Sequence, residues 1–233
     1  MKKLLLTTAL VACATTASAN EGLGFFAGIY GGYTGSSTTV SATNGGAGAA
    51  NFNAQNADLG GNGGQGGLLL GLNYMLDSGM VLGLDAFGQF GSHEAKVDRG
   101  MGAVQFNQRI KQKYAFGIAA RLGYMFDTTH AYVKVGWINS RFEMQQARSV
   151  VNPAAPAGPL VTLTQQDNKN LNGLLLGVGA DMPVGEAVSV GFSYDFSIYR
   201  NHTTAMANAA NSLGQARFKP RTHAFNVVLK YKF

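Results

Sequence analysis

Chemistry in this 233-residue chain would have to come from four histidines, one cysteine and a thin scatter of charges. His93, His130, His202 and His223 show no H-x-x-x-H spacing for a metal ion, and no serine and carboxylate are placed beside them to form a hydrolytic triad. His202-Thr203-Thr204 and Thr222-His223 leave a lipid-directed hydrolase as a remote alternative; no catalytic residue, cofactor site or metal site is assigned. Gly61 to Gly66 formally matches G-x-G-x-x-G, but it follows coil and opens a strand, whereas dinucleotide binding needs a strand before and a helix after. Ion-pair chemistry is better supported. Asp85, Arg121, Lys134 and Asp181, with Asp195, Lys230 and Lys232, stand singly on the small-residue faces of otherwise apolar segments. Charges enclosed in this way persist only when paired or hydrated. The expected pairs are Asp85 with Arg121 and Lys134 with Asp181.

The segments that carry these charges read as strands. In Phe225-Asn226-Val227-Val228-Leu229-Lys230-Tyr231-Lys232-Phe233, a large apolar side chain stands at every odd position, and Asn226, Lys230 and Lys232 at even ones. Strict alternation is the mark of a strand with one apolar face. Ile110 to Phe126 is similar: even positions from Tyr114 to Phe126 are mostly large and apolar, and odd positions run Lys111, Lys113, Ala115, Gly117, Ala119, Arg121, Gly123. Eight such segments are expected: 25–34, 68–76, 80–90, 110–126, 131–142, 171–182, 187–199 and 225–233. Short turns at 77–79, 127–130 and 183–186 alternate with long loops at 35–67, 91–109, 143–170 and 200–221. The five prolines are expected outside strand interiors, where a missing N–H does no harm.

Lys2 and Lys3, the apolar run Leu4 to Ala14 and the small residues Ala17-Ser18-Ala19 make residues 1–19 a secretory signal peptide, cleaved before Asn20. A competing lipobox reading of Leu10-Val11-Ala12-Cys13 would lipidate Cys13 instead. Cleavage after Ala19 removes the only cysteine, and with it disulfides and thiol chemistry, from a mature domain at 20–233.

With 46% hydrophobic and 13% charged residues, no run beyond the signal approaches the ~18 apolar residues of a spanning helix. An exported, glycine-rich chain of short alternating segments then has a closed barrel as its membrane-spanning option. Tyr74, Tyr124, Phe126, Tyr231 and Phe233 suggest an aromatic girdle at the turn end, and Tyr33, Phe90, Phe142 and Tyr199 one at the loop end, with Trp137 outward between them. A secreted lipocalin-like barrel would put the apolar face inward, against the inward lysines and aspartates.

Signal segment, four long loops, three turns and terminal Phe233 together resemble the eight-stranded outer-membrane barrels of the OmpA-like and opacity-type surface-protein family, often labelled porin-family. The resemblance implies an all-β, antiparallel up-and-down transmembrane barrel with periplasmic turns and extracellular loops in the bacterial outer membrane. It also implies that Phe225, Val227, Leu229, Tyr231 and Phe233 form a carboxyl-terminal signal read by the barrel assembly machinery, with periplasmic chaperones as earlier partners. No catalysis follows from it. The implied work is envelope-structural or surface interaction of an adhesin or antigen kind through the loops, by a monomer; a narrow diffusion channel is the alternative. A barrel of about eight strands holds little more than its own side chains, although inward Gly28, Gly71, Gly83, Gly117, Gly177 and Gly191 are expected to leave some space. The formal charge is +6, and Lys96, Arg99, Arg141, Arg200, Arg217, Lys219 and Arg221 suggest a basic rim at the loop end for lipopolysaccharide phosphates. Export and the lack of a basic helix argue against nucleic acid.

Overall fold

The structure, a computed structural model, describes residues 22–43, 57–101, 104–150, 161–206 and 214–233. The signal segment with Cys13, Ala17, Ala19 and Asn20 lies outside the described residues, as do Pro153, Pro156 and Pro159. Nine strands form one antiparallel sheet: β1 (Leu23–Thr43), β2 (Ala57–Met75), β3 (Met80–Met101), β4 (Val104–Phe126), β5 (Thr129–Val150), β6 (Val161–Pro183), β7 (Val188–Tyr199), β8 (His202–Met206) and β9 (Gly214–Lys232). Each pairs with its neighbour in chain order, except that β7 and β8 both pair with β9 and together form one stave. The pairing of β1 with β9, from Phe26↔Lys232 to Thr43↔Gln215, closes an eight-stave up-and-down barrel.

The alternation decides which face is wet. On β9, Phe225, Val227, Leu229 and Tyr231 are 65%, 52%, 46% and 52% exposed, while Asn226, Val228 and Lys230 between them are 5%, 4% and 4%. In water so continuous an apolar outer face would be an aggregation surface; in lipid it is the expected solvent-facing one. On β4 the outward residues Phe116 to Phe126 span ten residue steps, about 26 Å of height at a tilt of ~40°. That matches the ~25 Å apolar band of outer-membrane barrels.

Three tight turns join strands at one end. Between β2 and β3, the Leu76 N–H donates to Met80 O at 2.9 Å, and Gly79 takes a left-handed φ of 81°. Asp127 (φ 53°) and Thr128 alone connect β4 to β5. His130, read from sequence as part of that turn, lies inside β5, and Pro183 is the last residue of β6.

At the other end the segments read as long loops are largely strand. β1 continues to Thr43 and β2 starts at Ala57, so the Gly61–Gly66 run is paired backbone in β2. β3 with β4, after a register shift between Phe90 and His93, and β5 with β6 likewise stay paired to Met101↔Val104 and Val150↔Val161. Cross-strand pairing overrides the polar, glycine-rich composition because the neighbouring strand satisfies every backbone group it meets. The wall of the barrel therefore continues well beyond the apolar belt.

Two further departures follow from strand geometry. Pro220, expected in a loop, lies within β9 opposite Thr38 of β1. It is tolerated because its other flank faces the break between β7 and β8, where Ile198↔Arg221 shifts to His202↔Phe218 and the ladder is already interrupted. Lys113 is an extra residue on β4, since Gln112↔Phe142 is followed by Tyr114↔Arg141. Such a bulge flips side chains. Above it Gln112 (3% exposed) and Ile110 (7%) face inward, so Lys111 and Lys113 do not lie on the inward face assigned to them by continuous alternation.

Deleting Lys113 should close the bulge and leave Gln112 and Ile110 facing inward, because outward Tyr114 then follows inward Gln112 in simple alternation. The expected change is within about 1 kcal/mol, read as a nearly unchanged urea midpoint of the folded barrel in lipid. A much earlier midpoint would mean that the bulge itself, and not the parity on either side of it, holds this part of the wall.

Candidate functional site

The lumen is filled in three levels. Nearest the turns, the Arg121 Nε lies 3.0 Å from Asp85 Oδ1, and an Arg121 Nη lies 3.6 Å from Asp181 Oδ2. Asn73 accepts a further bond from Arg121 at 2.7 Å, and Lys230 Nζ donates to Asp181 at 2.5 Å. The Arg121 guanidinium sits 4.9 Å and 5.0 Å from the ring centres of Phe26 and Tyr132, and Lys230 Nζ sits 5.2 Å and 5.3 Å from the same rings. Two cations held between two aromatic faces and shared by two carboxylates make a compact charge-balanced plug. His130 completes it, with Nδ1 3.6 Å from Asp181.

Above this plug a hydrogen-bond chain crosses the lumen. Lys134 Nζ is 2.8 Å from Asp195, which also accepts from Asn226 at 3.0 Å. Asn226 in turn accepts from Gln65 at 2.6 Å, and Gln65 from Thr34 at 2.5 Å. The partner of Lys134 is therefore Asp195, not Asp181. The sequence placed Lys134 and Asp181 on neighbouring strands, but in register Lys134 is opposite Gly177, and Gly177 is opposite Asp195. A lysine reaches across the empty glycine site to the carboxylate beyond it.

The same device recurs, and it removes the space that inward glycines seemed to leave. A Cβ on Gly71 would overlap Phe26 and meet Asp85; on Gly83 it would meet Asn73 and Arg121; on Gly191, Asp181; on Gly117, Phe87. Each glycine is the seat of a neighbour's long side chain. The remaining cavity between the two polar levels is about 40 Å³, room for very few waters. A second cavity of about 230 Å³ opens at the turn-end mouth, lined in part by His130, Asp181, Lys230 and Lys232.

At the loop end the lumen is apolar. Ile110, Phe142, Met144, Leu171, Leu175, Tyr199 and Phe218 pack together, with Phe142 against Tyr199 edge-on at 5.1 Å. The Tyr199 hydroxyl bonds Ser140 at 2.8 Å, and Gln112 donates to Ser140 at 3.2 Å. Phe142 and Tyr199, expected in the outer girdle, are 2% and 4% exposed and belong to this stopper. Both sit at the inward parity of their strands, alongside Ser140 and Ser197. The outer band at that end is instead Tyr33, Phe90, Phe116, Trp137 and Phe225. Sequence reading also missed Phe26, Tyr132 and Asn73 in the plug; inward parity was the available signal, reinforced only at Tyr132 by Lys134 two residues on along the same face.

The basic rim is uneven. Lys96 and Arg99 lie on the extended part of β3, and Arg141 is half-buried on β5 opposite Tyr114. On that side two cations have partners: Arg109 binds Glu94 through both its Nε and a 2.6 Å bond from an Nη, and Lys113 lies 2.5 Å from Glu143. The Glu94 hydrogen bond raises the Arg109 pKa. Arg200 is exposed at the β7–β8 break, and Arg217, Lys219 and Arg221 are exposed on the outward face of β9. Among the described residues the histidines do not assemble a nucleophile: His202 lies 3.4 Å from Asp167, His223 and the Tyr194 hydroxyl are hydrogen-bonded at 2.6 Å outside the barrel, and Thr222 faces inward. Among the described residues no three His, Asp or Glu side chains converge as metal ligands.

A closed barrel with an apolar outer belt, aromatic bands at both edges and a polar plug inside defines an integral outer-membrane β-barrel. The chain belongs to the outer membrane protein beta-barrel domain family, whose model matches residues 4–233, and it resides in the bacterial outer membrane. No curated protein matches its sequence. Among solved structures it is similar to OprG of Pseudomonas aeruginosa (13% identity, 91% of this chain and 97% of that one, TM-score 0.49). It is also similar to a major outer membrane protein of Thermus thermophilus (14%, 88% and 99%, 0.45). A third is Ail, the attachment invasion locus protein of Yersinia pestis (9%, 89% and 98%, 0.37). At these levels none lends this chain a role.

Neutralising Arg121 to Gln should strand the buried Asp85 carboxylate, while Asp181 keeps Lys230, and cost about 3–5 kcal/mol. Neutralising Asp85 to Asn as well should return part of that loss. Trp137 is the single tryptophan and faces lipid at 42% exposure, so its fluorescence reports unfolding. Strictly additive losses would show that the two residues act independently.

Proposed function

We propose that this protein is a non-enzymatic surface barrel, with residues 20–233 as its mature domain, working as a monomer. Its extracellular wall carries envelope-structural or surface-interaction work of an adhesin or antigen kind. The observation behind this reading is the lumen: a charge-balanced plug near the turns and an apolar stopper near the loops leave no continuous passage between the two mouths among the described residues. Material that cannot pass through must be met outside. The outside has been built up, since paired strands rise beyond the belt to Met101↔Val104 and Val150↔Val161. Lipopolysaccharide is the proposed lipid partner. The assembly machinery is the proposed reader of Phe225, Val227, Leu229, Tyr231 and Phe233, all of which lie exposed on the lipid face of the last strand.

A narrow channel is the second reading, and the charged lumen with its 40 Å³ cavity between two polar levels favours it. Single-channel recording separates the two. The mature chain, refolded in lipid and shown to be folded by its gel shift on boiling, should give no discrete current steps in a planar bilayer. Reproducible steps would replace the plugged-barrel reading with the channel, and would make the Asp85–Arg121 pair its gate.

A further inference from the structure

We propose that one lipopolysaccharide molecule docks on the outer wall at β7 and β9, with an acyl chain in a slanting groove and its phosphates on a cationic ladder. This deepens the lipid-partner part of the proposed function and rests on the outer-membrane placement. The ladder is Arg217, Lys219 and Arg221, at alternate positions on the outward face of β9 and spaced about 6.7 Å apart. They continue the same face as Phe225, four residues below Arg221. What singles them out is that three cations share one strand face and none makes an ion pair among the described residues. Their partners on β1 are Ser41, Thr39 and Ser37, and β8 places Thr203 opposite Arg217. The closest carboxylate in register, Asp58, stands beyond β1, opposite Thr39. On the far wall, by contrast, Arg109 and Lys113 are neutralised by Glu94 and Glu143. Three cations without an ion pair among the described residues, aligned on one strand face, suit an anion from outside.

The groove supplies the second half of the site. Leu122, Val133, Val178 and Tyr194 form one row of outward residues in register with Phe225. Ala120, Val135, Leu176 and Phe196 form the next row, in register with His223. An apolar groove of about 630 Å³ runs along these rows, with the short Ala120 among its lining residues. Because strands tilt, the row climbs. It begins two residues above the start of β3, at Leu82, and ends eight residues above the chain terminus, at Phe225. The groove itself is lined from Leu82 to Tyr194 and Phe196, four inter-strand steps or about 19 Å, a length suited to one acyl chain, and Phe225 and His223 stand beside its β7 end. His223 joins groove to ladder, stacking on Phe196 with ring centres 4.7 Å apart and bonding the Tyr194 hydroxyl.

Height selects the lipid. Arg221 stands about 10 Å above Phe225 at a tilt of ~40°, already past a polar layer of ~5–7 Å, and Lys219 and Arg217 stand higher still. A phospholipid offers one phosphate at the foot of this ladder. A glycolipid with phosphates on successive sugars reaches along it.

The test titrates the refolded mature chain in neutral detergent with purified lipopolysaccharide, with phosphatidylglycerol and with a soluble sulfated polysaccharide as comparison ligands. Replacing Arg217, Lys219 and Arg221 together by Gln should weaken lipopolysaccharide binding about tenfold or more. Replacing Arg109 and Lys113 by Gln should leave it within about twofold, and Ala120→Phe, which fills the groove, should weaken it several-fold. All these side chains are exposed, and the gel shift on boiling verifies folding of each variant. The site is overturned if the triple variant binds unchanged, if the paired-cation control loses as much, or if phosphatidylglycerol or the soluble polyanion binds as tightly as lipopolysaccharide. Failure here is separate from failure of the plugged-barrel reading, which is decided by the bilayer current.

Discussion

Everything in this molecule follows from the need to leave no backbone N–H or C=O unpaired in hydrocarbon. A sheet in lipid has to close, and here closure is the long antiparallel register between β1 and β9. Once the ends are joined, side chains at alternate positions are committed either to lipid or to a lumen too narrow for bulk water. The outward set has to be apolar over the belt, as Leu229 and Ile118 are, and the inward set has to be mutually compatible in a confined volume.

Confinement explains the glycines and the ion pairs together. Eight staves cannot each project a long side chain inward at the same height. At each level some strands contribute Arg121, Lys230 or Asp181, and their neighbours contribute Gly83, Gly28 or Gly191 to receive them. Removing charges from water is unfavourable unless partners replace it, and sharing both carboxylates between two cations that also lie on Phe26 and Tyr132 provides them. The outcome is a plug instead of a pore.

Beyond the bilayer the constraint relaxes, and the wall records it. Lys113 shifts the parity of β4, Pro220 fits beside the break at Arg200 and Asn201, and inward residues change from charges to the Phe142, Tyr199 and Phe218 cluster. On the outer face, cations take over from the aromatic band above Phe225: Arg109 and Lys113 are paired with Glu94 and Glu143, and Arg217, Lys219 and Arg221 make no ion pair among the described residues.

Much of this was legible in the chain alone. Alternation is a property of two adjacent residues, so the lipid face of β9 and most of β4 could be read from type and order, and the three turns from Gly79, Asp127 and Gly185. Placing Asp85 beside Arg121 needed only similar distances from the turn-end limits of neighbouring β3 and β4, and the two lie 3.0 Å apart. Partners across a strand were not legible, as Lys134 with Asp195 shows, because they depend on how far the barrel's slant offsets one strand against the next. Nor was the flip at Lys113, since a bulge is a mismatch between two strands and neither carries it alone. Strand length beyond the belt was hidden for the same reason: the polar, glycine-rich stretches of β1 and β2 have no local preference for extension and take it from each other. Residue order thus determined faces, turns and destination, because these depend on near neighbours; tertiary structure decided register, which pairs form and whether the lumen is open, because these depend on strands far apart in sequence meeting at one height.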